Sequence, residues 1–166
     1  GGEVRETTGI KASALAKGES FYDTARVLSG YSDLIVMRHE KSGSVSEFAA
    51  ASRVPVINGG DGANEHPSQA LLDLYTISRE LGHQGKIIDG MRIALVGDLR
   101  FGRAVHSLCK LLMAYENIQL TLISPEALKL PGEYIVALED KGHTVTESHA
   151  LQSGIQHADI VYVTRT

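Results

Sequence analysis

The chain has 166 residues, 43% of them hydrophobic and 22% charged, which is the composition of a globular protein and not of a disordered or fibrous one. This length predicts one large domain or two small ones. The formal net charge of -4 argues against a nucleic-acid-binding protein with a basic surface. No run approaches the about 18 to 20 apolar residues of a membrane span, so neither nucleic acid nor membrane is an expected partner.

The single cysteine and the two ends of the chain bear on its location and completeness. Cys109 cannot form an internal disulfide, and we interpret it as a buried, inert thiol within an apolar helix, which is compatible with the reducing cytoplasm. The first residues are polar and do not resemble a signal peptide. Residues 159–166 read as a strand with no closing element after it. We therefore expect an internal fragment, or a truncated part, of a longer cytoplasmic protein.

Helices and strands alternate in the first half of the chain. Residues 1–18 are polar and predict a loop. The segment 34–37 is continuously apolar, as expected for a parallel strand covered on both faces. Gly82 stands where a long helix would end in a left-handed residue. The other predicted elements are helices over 19–28 and 46–52, a strand over 54–57 and a long helix over 66–81.

The same alternation continues after a polar, glycine-containing segment at 82–86, which is the best candidate for a domain boundary. Repeated strand and helix order predicts parallel sheets with helices on both faces, and so an α/β fold with two doubly wound domains, 1–82 and 83–166. The predicted strands cover 92–96, 120–123, 144–146 and 160–163, and the predicted helices cover 103–115, 133–141 and 150–157.

The start of the long helix is the strongest candidate for a binding site. Pro67 is suited to the first helical position, which makes His66 the expected cap residue and places Gln69 in the first turn. A spacing of three puts both side chains on one side of the helix start. Unpaired N–H groups and the positive end of the helix dipole favour an anionic ligand there. The competing interpretation is that His66 is only a cap and Gln69 only a solvated side chain.

Arginines follow several of the predicted strands. Ligands of open parallel sheets bind beyond the carboxyl ends of the strands. Arg38 ends one strand, Arg103 follows the loop after another, and Arg165 ends the last. Arginine forks bind carboxylate and phosphate groups with two parallel hydrogen bonds, so the set indicates anionic substrates. A single arginine at such a place is more often part of a surface ion pair.

Three other classes of site find little support in the sequence. Segment 97–102 lacks the glycine spacing of a dinucleotide-binding loop. The seven histidines show no metal-ligand spacing, and no serine or cysteine lies in a nucleophile elbow. We therefore expect neither a metal nor another cofactor.

Two long motifs resemble those of transcarbamoylases. Residues 61–74, DGANEHPSQALLDL, resemble the carbamoyl-phosphate signature of that family. Residues 96–108, VGDLRFGRAVHSL, are similar to the segment that distinguishes aspartate transcarbamoylases from the ornithine-using enzymes. Shorter segments at 17–20, 31–39 and 163–165 also fit in order and spacing, so the resemblance covers nearly the whole chain.

The resemblance implies a domain division and a reaction. Residues 1–82 would be the C-terminal part of a carbamoyl-phosphate-binding domain, including the interdomain helix, and 83–166 the N-terminal part of an aspartate-binding domain. The implied enzyme is a cytoplasmic transferase of pyrimidine biosynthesis. It would transfer the carbamoyl group of carbamoyl phosphate to L-aspartate, giving N-carbamoyl-L-aspartate and phosphate.

The resemblance also implies roles for single residues. Arg38 and His66 would bind the carbamoyl oxygen, and Gln69 the carbamoyl amide. The aspartate carboxylates would be bound by Arg103 and Arg165. The two residues that the family donates to a neighbouring subunit would be Ser13 and Lys17, which implies a homotrimer with shared active sites. Regulatory chains are possible partners.

Some features depart from the family pattern. The phosphate-binding Ser-Thr-Arg-Thr loop of the family is not among these residues, and neither is a glutamine expected just beyond Arg165. Ala104 stands where threonine is expected, which would remove one hydroxyl contact to aspartate. The 166 residues alone would therefore be an incomplete enzyme. Two alternatives stay open, an ornithine-type transcarbamoylase and a non-catalytic binding domain that keeps the fold.

Overall fold

The computed structural model describes residues 2–6, 18–62 and 64–165, and the chain divides into two compact units between residues 61 and 62. Every sheet pairing is parallel, and helices alternate with strands along the chain, so the predicted α/β class is confirmed. Ser13 and Lys17, with the rest of the predicted loop at 7–17, lie outside the described residues.

The first unit is a two-stranded sheet with two helices on one face. Ser20 caps its first helix by accepting a hydrogen bond from the Asp23 N–H at 3.1 Å. The strands run side by side with Ile35 opposite Val56. A small core of Ala25, Phe48 and Ala51 lies between the helices and the sheet. The elements are α1 (Phe21–Leu28), β1 (Ile35–His39), α2 (Ser44–Ala51) and β2 (Val56–Asp61).

The prediction that the first strand is covered on both faces is wrong for the described residues. Ile35 and Met37 pack against the core of the first unit, but Val36 between them is 65% exposed. Ile57 of β2, which is paired with Val36, is also exposed. Successive side chains of a strand point to opposite faces, and both helices of this unit cover the same face. An apolar run therefore did not distinguish a half-covered strand from a fully covered one.

The second unit is built on a four-stranded parallel sheet in the order β5-β4-β3-β6. One face of the sheet carries Ile93, Leu95, Leu120 and Leu122, which pack with the helices into a continuous core. The strands are β3 (Arg92–Val96), β4 (Gln119–Ile123), β5 (Thr144–Ser148) and β6 (Ile160–Val163). The helices are α3 (Pro67–His83), α4 (Arg103–Leu112), α5 (Gly132–Asp140) and α6 (Leu151–Ile155).

The long helix ends later than the sequence predicted. Gly82 lies inside α3, and the left-handed residue is Gly85, with a φ of 70°. The Lys86 N–H donates to the Leu81 carbonyl and the Gly85 N–H to the Gly82 carbonyl. These two bonds form a Schellman motif, which satisfies the last carbonyls of the helix. Both glycines occur in one polar segment, and only the backbone hydrogen bonds identify which of them is the left-handed residue of the motif.

Packing divides the chain before α3 and not after it. The helix contributes Ala70, Ile77 and Leu81 to the core of the second unit, and α3 packs along α4. The predicted boundary at 82–86 was placed at a change in sequence pattern, whereas the compact units separate at 61 and 62. The assignment of residues 1–82 and 83–166 to two substrate-binding domains stays a prediction.

Candidate active site

His66 is the cap residue of α3, as the sequence predicted. It has non-helical backbone angles, φ -141° and ψ 67°, and Pro67 occupies the first helical position. The Gln69 N–H donates to Nδ1 of the imidazole at 3.3 Å. Because Nδ1 accepts this hydrogen bond, the neutral ring carries its proton on Nε2. His66 therefore combines capping of the helix with an imidazole whose second nitrogen is a hydrogen-bond donor.

A polar network holds the beginning of α3 against α4. The His66 main-chain N–H donates to Oγ of Ser107 at 3.0 Å, and that hydroxyl donates to the Glu65 carboxylate. Lys110, one turn further along α4, forms an ion pair with the same carboxylate. The hydrogen bond to Glu65 is the main reason why the pKa of Lys110 is raised. The backbone of His66 is thus fixed by a neighbouring helix and not by its own helix alone.

Gln69 is held by a second network. Its Nε2 donates to Oδ1 of Asp73, one turn further along α3, at 2.9 Å. The hydroxyl of Tyr162 on β6 donates to Oδ2 of the same carboxylate at 2.7 Å. Both Gln69 and Asp73 are half-buried. Asp73 therefore links the first turn of α3 to the edge strand of the sheet.

Arg103 begins α4, in the loop region that follows β3. Its Nη1 donates to the Gly62 carbonyl at 2.6 Å, and the side chain is half-buried. Gly102 before it is required by a close approach, because a Cβ atom there would lie 2.5 Å from the Asp98 carbonyl oxygen. The contact with Gly62 uses one N–H of the guanidinium, which carries five donors, so a carboxylate could still be bound by the others.

Arg165 lies beyond the end of β6, next to the loop that follows β3. The Asp98 N–H donates to the Arg165 carbonyl at 3.0 Å. Gly97 has a φ of 113°, and a Cβ atom there would lie 2.7 Å from Oγ1 of Thr164. This close approach is possible only for glycine. Because β3 and β6 are parallel neighbours, their carboxyl ends bring the Arg165 segment and the segment leading to Arg103 to one edge of the sheet.

Arg38 lies in the first unit, on β1, and is exposed. In the same unit, the buried carboxylate of Asp61 accepts hydrogen bonds from the Gly43 N–H at 2.9 Å and from the Asn58 side chain at 3.3 Å. Four of the predicted site residues thus lie in the second unit, namely His66, Gln69, Arg103 and Arg165, whereas Arg38 lies in the first.

Five residues that support the site were not predicted from the sequence, namely Glu65, Asp73, Ser107, Lys110 and Tyr162. The pair of Gln69 and Asp73 had a readable signal, because residues four apart on a helix are neighbours. Tyr162 had none, since it is 89 residues away from Asp73 in the chain.

Cys109 and His106 are both buried in the second unit. Cys109 is fully buried, as predicted, and burial raises the pKa of its thiol to about 12, so that it is not a nucleophile at neutral pH. His106 is stacked on Tyr134, with ring centroids 4.6 Å apart, and its Nε2 lies 2.9 Å from the Leu99 carbonyl.

Over residues 2–6, 18–62 and 64–165, no cluster of three or more His, Cys, Asp or Glu residues is arranged to hold a metal ion. No helix in the same ranges is long and apolar enough to cross a membrane.

Comparison with known proteins agrees with this architecture. Residues 1–79 match the family described as aspartate/ornithine carbamoyltransferase, carbamoyl-P binding domain. The aspartate carbamoyltransferase catalytic subunit of Saccharophagus degradans is 66% identical over 99% of this chain and 49% of its own length. The corresponding subunit of Methanocaldococcus jannaschii is 48% identical over 99% of this chain and 53% of its own length. The chain spans about half the length of the curated relatives it matches.

Solved structures show the same relationship in three dimensions. The catalytic subunit of M. jannaschii aspartate transcarbamoylase superposes with a TM-score of 0.81 at 48% identity, over 94% of this chain and 50% of that one. The Trypanosoma cruzi enzyme, in a complex with carbamoyl phosphate and aspartate, gives a TM-score of 0.82 at 41% identity, over 96% of this chain and 54% of that one. The α/β fold and a helix start that suits an anion agree with these similarities, and together they define the class of protein. The chain belongs to the aspartate/ornithine carbamoyltransferase family.

Proposed function

We propose that the protein carrying this chain transfers the carbamoyl group of carbamoyl phosphate to L-aspartate. The observation that carries the proposal is the start of α3, where the His66 imidazole has its proton on Nε2 and Gln69 lies in the first helical turn. This arrangement supplies a hydrogen-bond donor and a carboxamide at the positive end of a helix. The T. cruzi relative described with carbamoyl phosphate and aspartate supports the choice of substrates.

Each substrate has its own set of residues in this proposal. Arg38 and His66 bind the carbamoyl oxygen, and Gln69 binds the carbamoyl NH₂ group. Arg103 and Arg165 bind the two carboxylates of aspartate. The domain that binds carbamoyl phosphate would then comprise residues 1–82, including α3, and the domain that binds aspartate would begin at residue 83.

The reaction needs no nucleophile from the protein. The aspartate amine attacks the carbamoyl carbon, a C–N bond forms, the bond from that carbon to the phosphate oxygen breaks, and the amine loses a proton. Negative charge develops on the carbamoyl oxygen during the attack, so donors that are already aimed at it lower the barrier. Holding two anionic substrates in contact supplies a further part of the acceleration through proximity. The hydrogen-bond donors and arginine forks of the proposed site are sufficient for both effects.

The assembly is part of the same proposal. The catalytic-subunit names of the relatives support an oligomer. We propose a cytoplasmic homotrimer in pyrimidine biosynthesis, in which Ser13 and Lys17 reach the active site of a neighbouring subunit. Regulatory chains would be additional partners. Mixing a subunit that lacks Lys17 with one that lacks His66 tests this, because only a shared site restores activity in the mixture.

The proposed reaction is tested by assaying carbamoyl transfer from carbamoyl phosphate to L-aspartate and to L-ornithine. Turnover with aspartate alone is expected, turnover with ornithine would support the ornithine-type alternative, and turnover with neither would support a non-catalytic domain. His66→Ala is expected to lower kcat roughly 10²- to 10³-fold, as removal of an oxyanion donor does. His66→Asn is the matched control for capping, because asparagine is a good cap residue. Both variants should lose activity, whereas only the alanine variant should lose about 1 kcal/mol of stability.

A further inference from the structure

The carboxylate of Asp73 is occupied on both oxygens by residues from different elements. Gln69 donates to Oδ1 from the same helix, and Tyr162 donates to Oδ2 from β6. A pair four residues apart on a helix needs no third partner to form. The additional hydrogen bond from β6 holds the carboxylate in a single orientation, and thereby holds the group that depends on it, the carboxamide of Gln69.

The chemistry of the carboxylate decides which end of the Gln69 carboxamide faces it. An ionised carboxylate only accepts hydrogen bonds, whereas a carboxamide has a donor end and an acceptor end. The NH₂ end of Gln69 must therefore face Asp73, and the oxygen Oε1 is left as the end that can accept a hydrogen bond from a ligand. The phenol of Tyr162 stays a donor, because burial, followed by the nearby Asp73 carboxylate, raises its pKa.

We propose that Asp73 and Tyr162 are positioning residues that fix the Gln69 carboxamide with Oε1 toward the substrate, so that the site selects an acyl phosphate bearing N–H over its methyl analogue. This inference rests on the function proposed above and deepens it. Carbamoyl phosphate has an NH₂ group where acetyl phosphate has a methyl group, and the two are otherwise alike. A fixed acceptor is satisfied by the first and left unpaired by the second.

The alternative is that the two residues only tie α3 to the sheet. In that case their loss would weaken every ligand of the site equally, because the helix start would move as a whole. The ratio of the dissociation constants for acetyl phosphate and carbamoyl phosphate separates the two roles. General damage to the site cancels in this ratio, whereas loss of the Gln69 orientation does not.

The test uses the protein that carries this chain, with carbamoyl phosphate and acetyl phosphate titrated separately into each variant. Asp73→Asn lets Gln69 turn over, because the new side chain presents both a donor and an acceptor. We expect the preference for carbamoyl phosphate to fall about 10-fold, as one hydrogen bond is worth about one decade. Tyr162→Phe keeps the carboxylate and should lower the preference by a few-fold. Glu80→Gln, which removes the same charge from an exposed position of α3, is the control and should leave the ratio unchanged.

The outcomes distinguish the inference from the function on which it rests. An unchanged ratio in Asp73→Asn and Tyr162→Phe, with or without weaker binding of both ligands, overturns the positioning role and leaves the proposed function intact. A wild-type protein that binds neither ligand overturns both. If Asp73→Asn does not fold, the Tyr162→Phe ratio decides, since that variant loses only one hydroxyl.

Discussion

The two units of the chain share a parallel α/β pattern and differ in how much they bury. The core of the first unit consists of Ala25, Phe48 and Ala51, with partly buried neighbours around them. The core of the second contains 18 buried side chains among the described residues, contributed by helices, strands and loops. Burial of apolar surface is the dominant favourable contribution to folding. The second unit is therefore expected to hold its structure much more strongly than the described part of the first.

The same difference extends to the polar interactions. In the first unit, the described ion pairs, Arg5 with Glu3 and Lys41 with Glu47, are exposed on both partners. In the second unit, the Asp159 side chain is only 7% exposed and is paired with both Lys86 and Arg92. Exposed pairs contribute little to stability, whereas a shielded carboxylate with several charged donors contributes more. A repeated sequence pattern therefore does not imply that the two units bury their apolar and charged groups equally.

The largest expected effect is that of emptying the core of the second unit. Leu108 on α4 is fully buried, and Leu108→Ala should lower the free energy of unfolding by about 2 to 5 kcal/mol, which includes the cavity that remains. The loss of unfolding free energy is measured by urea unfolding, monitored through the hydrogen exchange of the β3 and β4 amides. Leu72→Ala is the control, because Leu72 on α3 is 62% exposed. Equal losses in the two variants would contradict the burial argument.

The next largest effect is expected from neutralising the shielded carboxylate of Asp159. Asp159 accepts hydrogen bonds from the Lys86 ammonium, from the Arg92 guanidinium and from the Arg92 main-chain N–H. Asp159→Asn should cost about 2 to 4 kcal/mol, because it removes the charge from several charge-assisted hydrogen bonds. Thermal unfolding of the second unit measures the loss. An unchanged melting temperature would show that the pair contributes nothing.

The pH dependence of the same group has a definite sign. The Arg92 guanidinium above all, with Lys86, holds the pKa of the Asp159 carboxyl far below its usual range. A lowered pKa in the folded state stabilises the fold above the ordinary carboxyl pKa of about 4, and this stabilisation is lost as the pH falls below that value. Wild type should therefore lose stability on acidification more steeply than Asp159→Asn. Parallel curves would contradict the assignment.

A smaller effect, on ligand binding, would separate the residues proposed for aspartate from those proposed for carbamoyl phosphate. In our proposal, Arg103→Ala weakens aspartate binding roughly 10- to 150-fold, corresponding to about 1.5 to 3 kcal/mol for a charge-assisted pair. Binding of carbamoyl phosphate, measured with a phosphonate mimic, should change much less. Arg38→Ala should show the reverse preference. Equal losses of both ligands in Arg103→Ala would mean that its contact with Gly62 is mainly structural.

The fold could be predicted in large part because its signals are local. The strands at 92–96 and 160–163 have the same bounds in the sequence prediction and in the structure. His66 was identified as a cap because a proline follows it, and the structure shows the expected side-chain hydrogen bond. Such features depend on the residues of one helical turn or one strand. They do not require knowledge of the rest of the chain.

Long-range packing accounts for what the sequence did not reveal. The exposure of Val36 depends on which face the helices cover, and the grouping of α3 with the second unit depends on its contacts with α4. The residues that support the predicted site are visible only in three dimensions. Tyr162 meets Asp73 across 89 residues of chain, and no periodicity encodes that contact. By itself, the sequence determined the order of elements, the helix cap and the family motifs. The tertiary structure decided which side chains hold Gln69 and His66 in place, because only folding brings distant polar groups within hydrogen-bond distance.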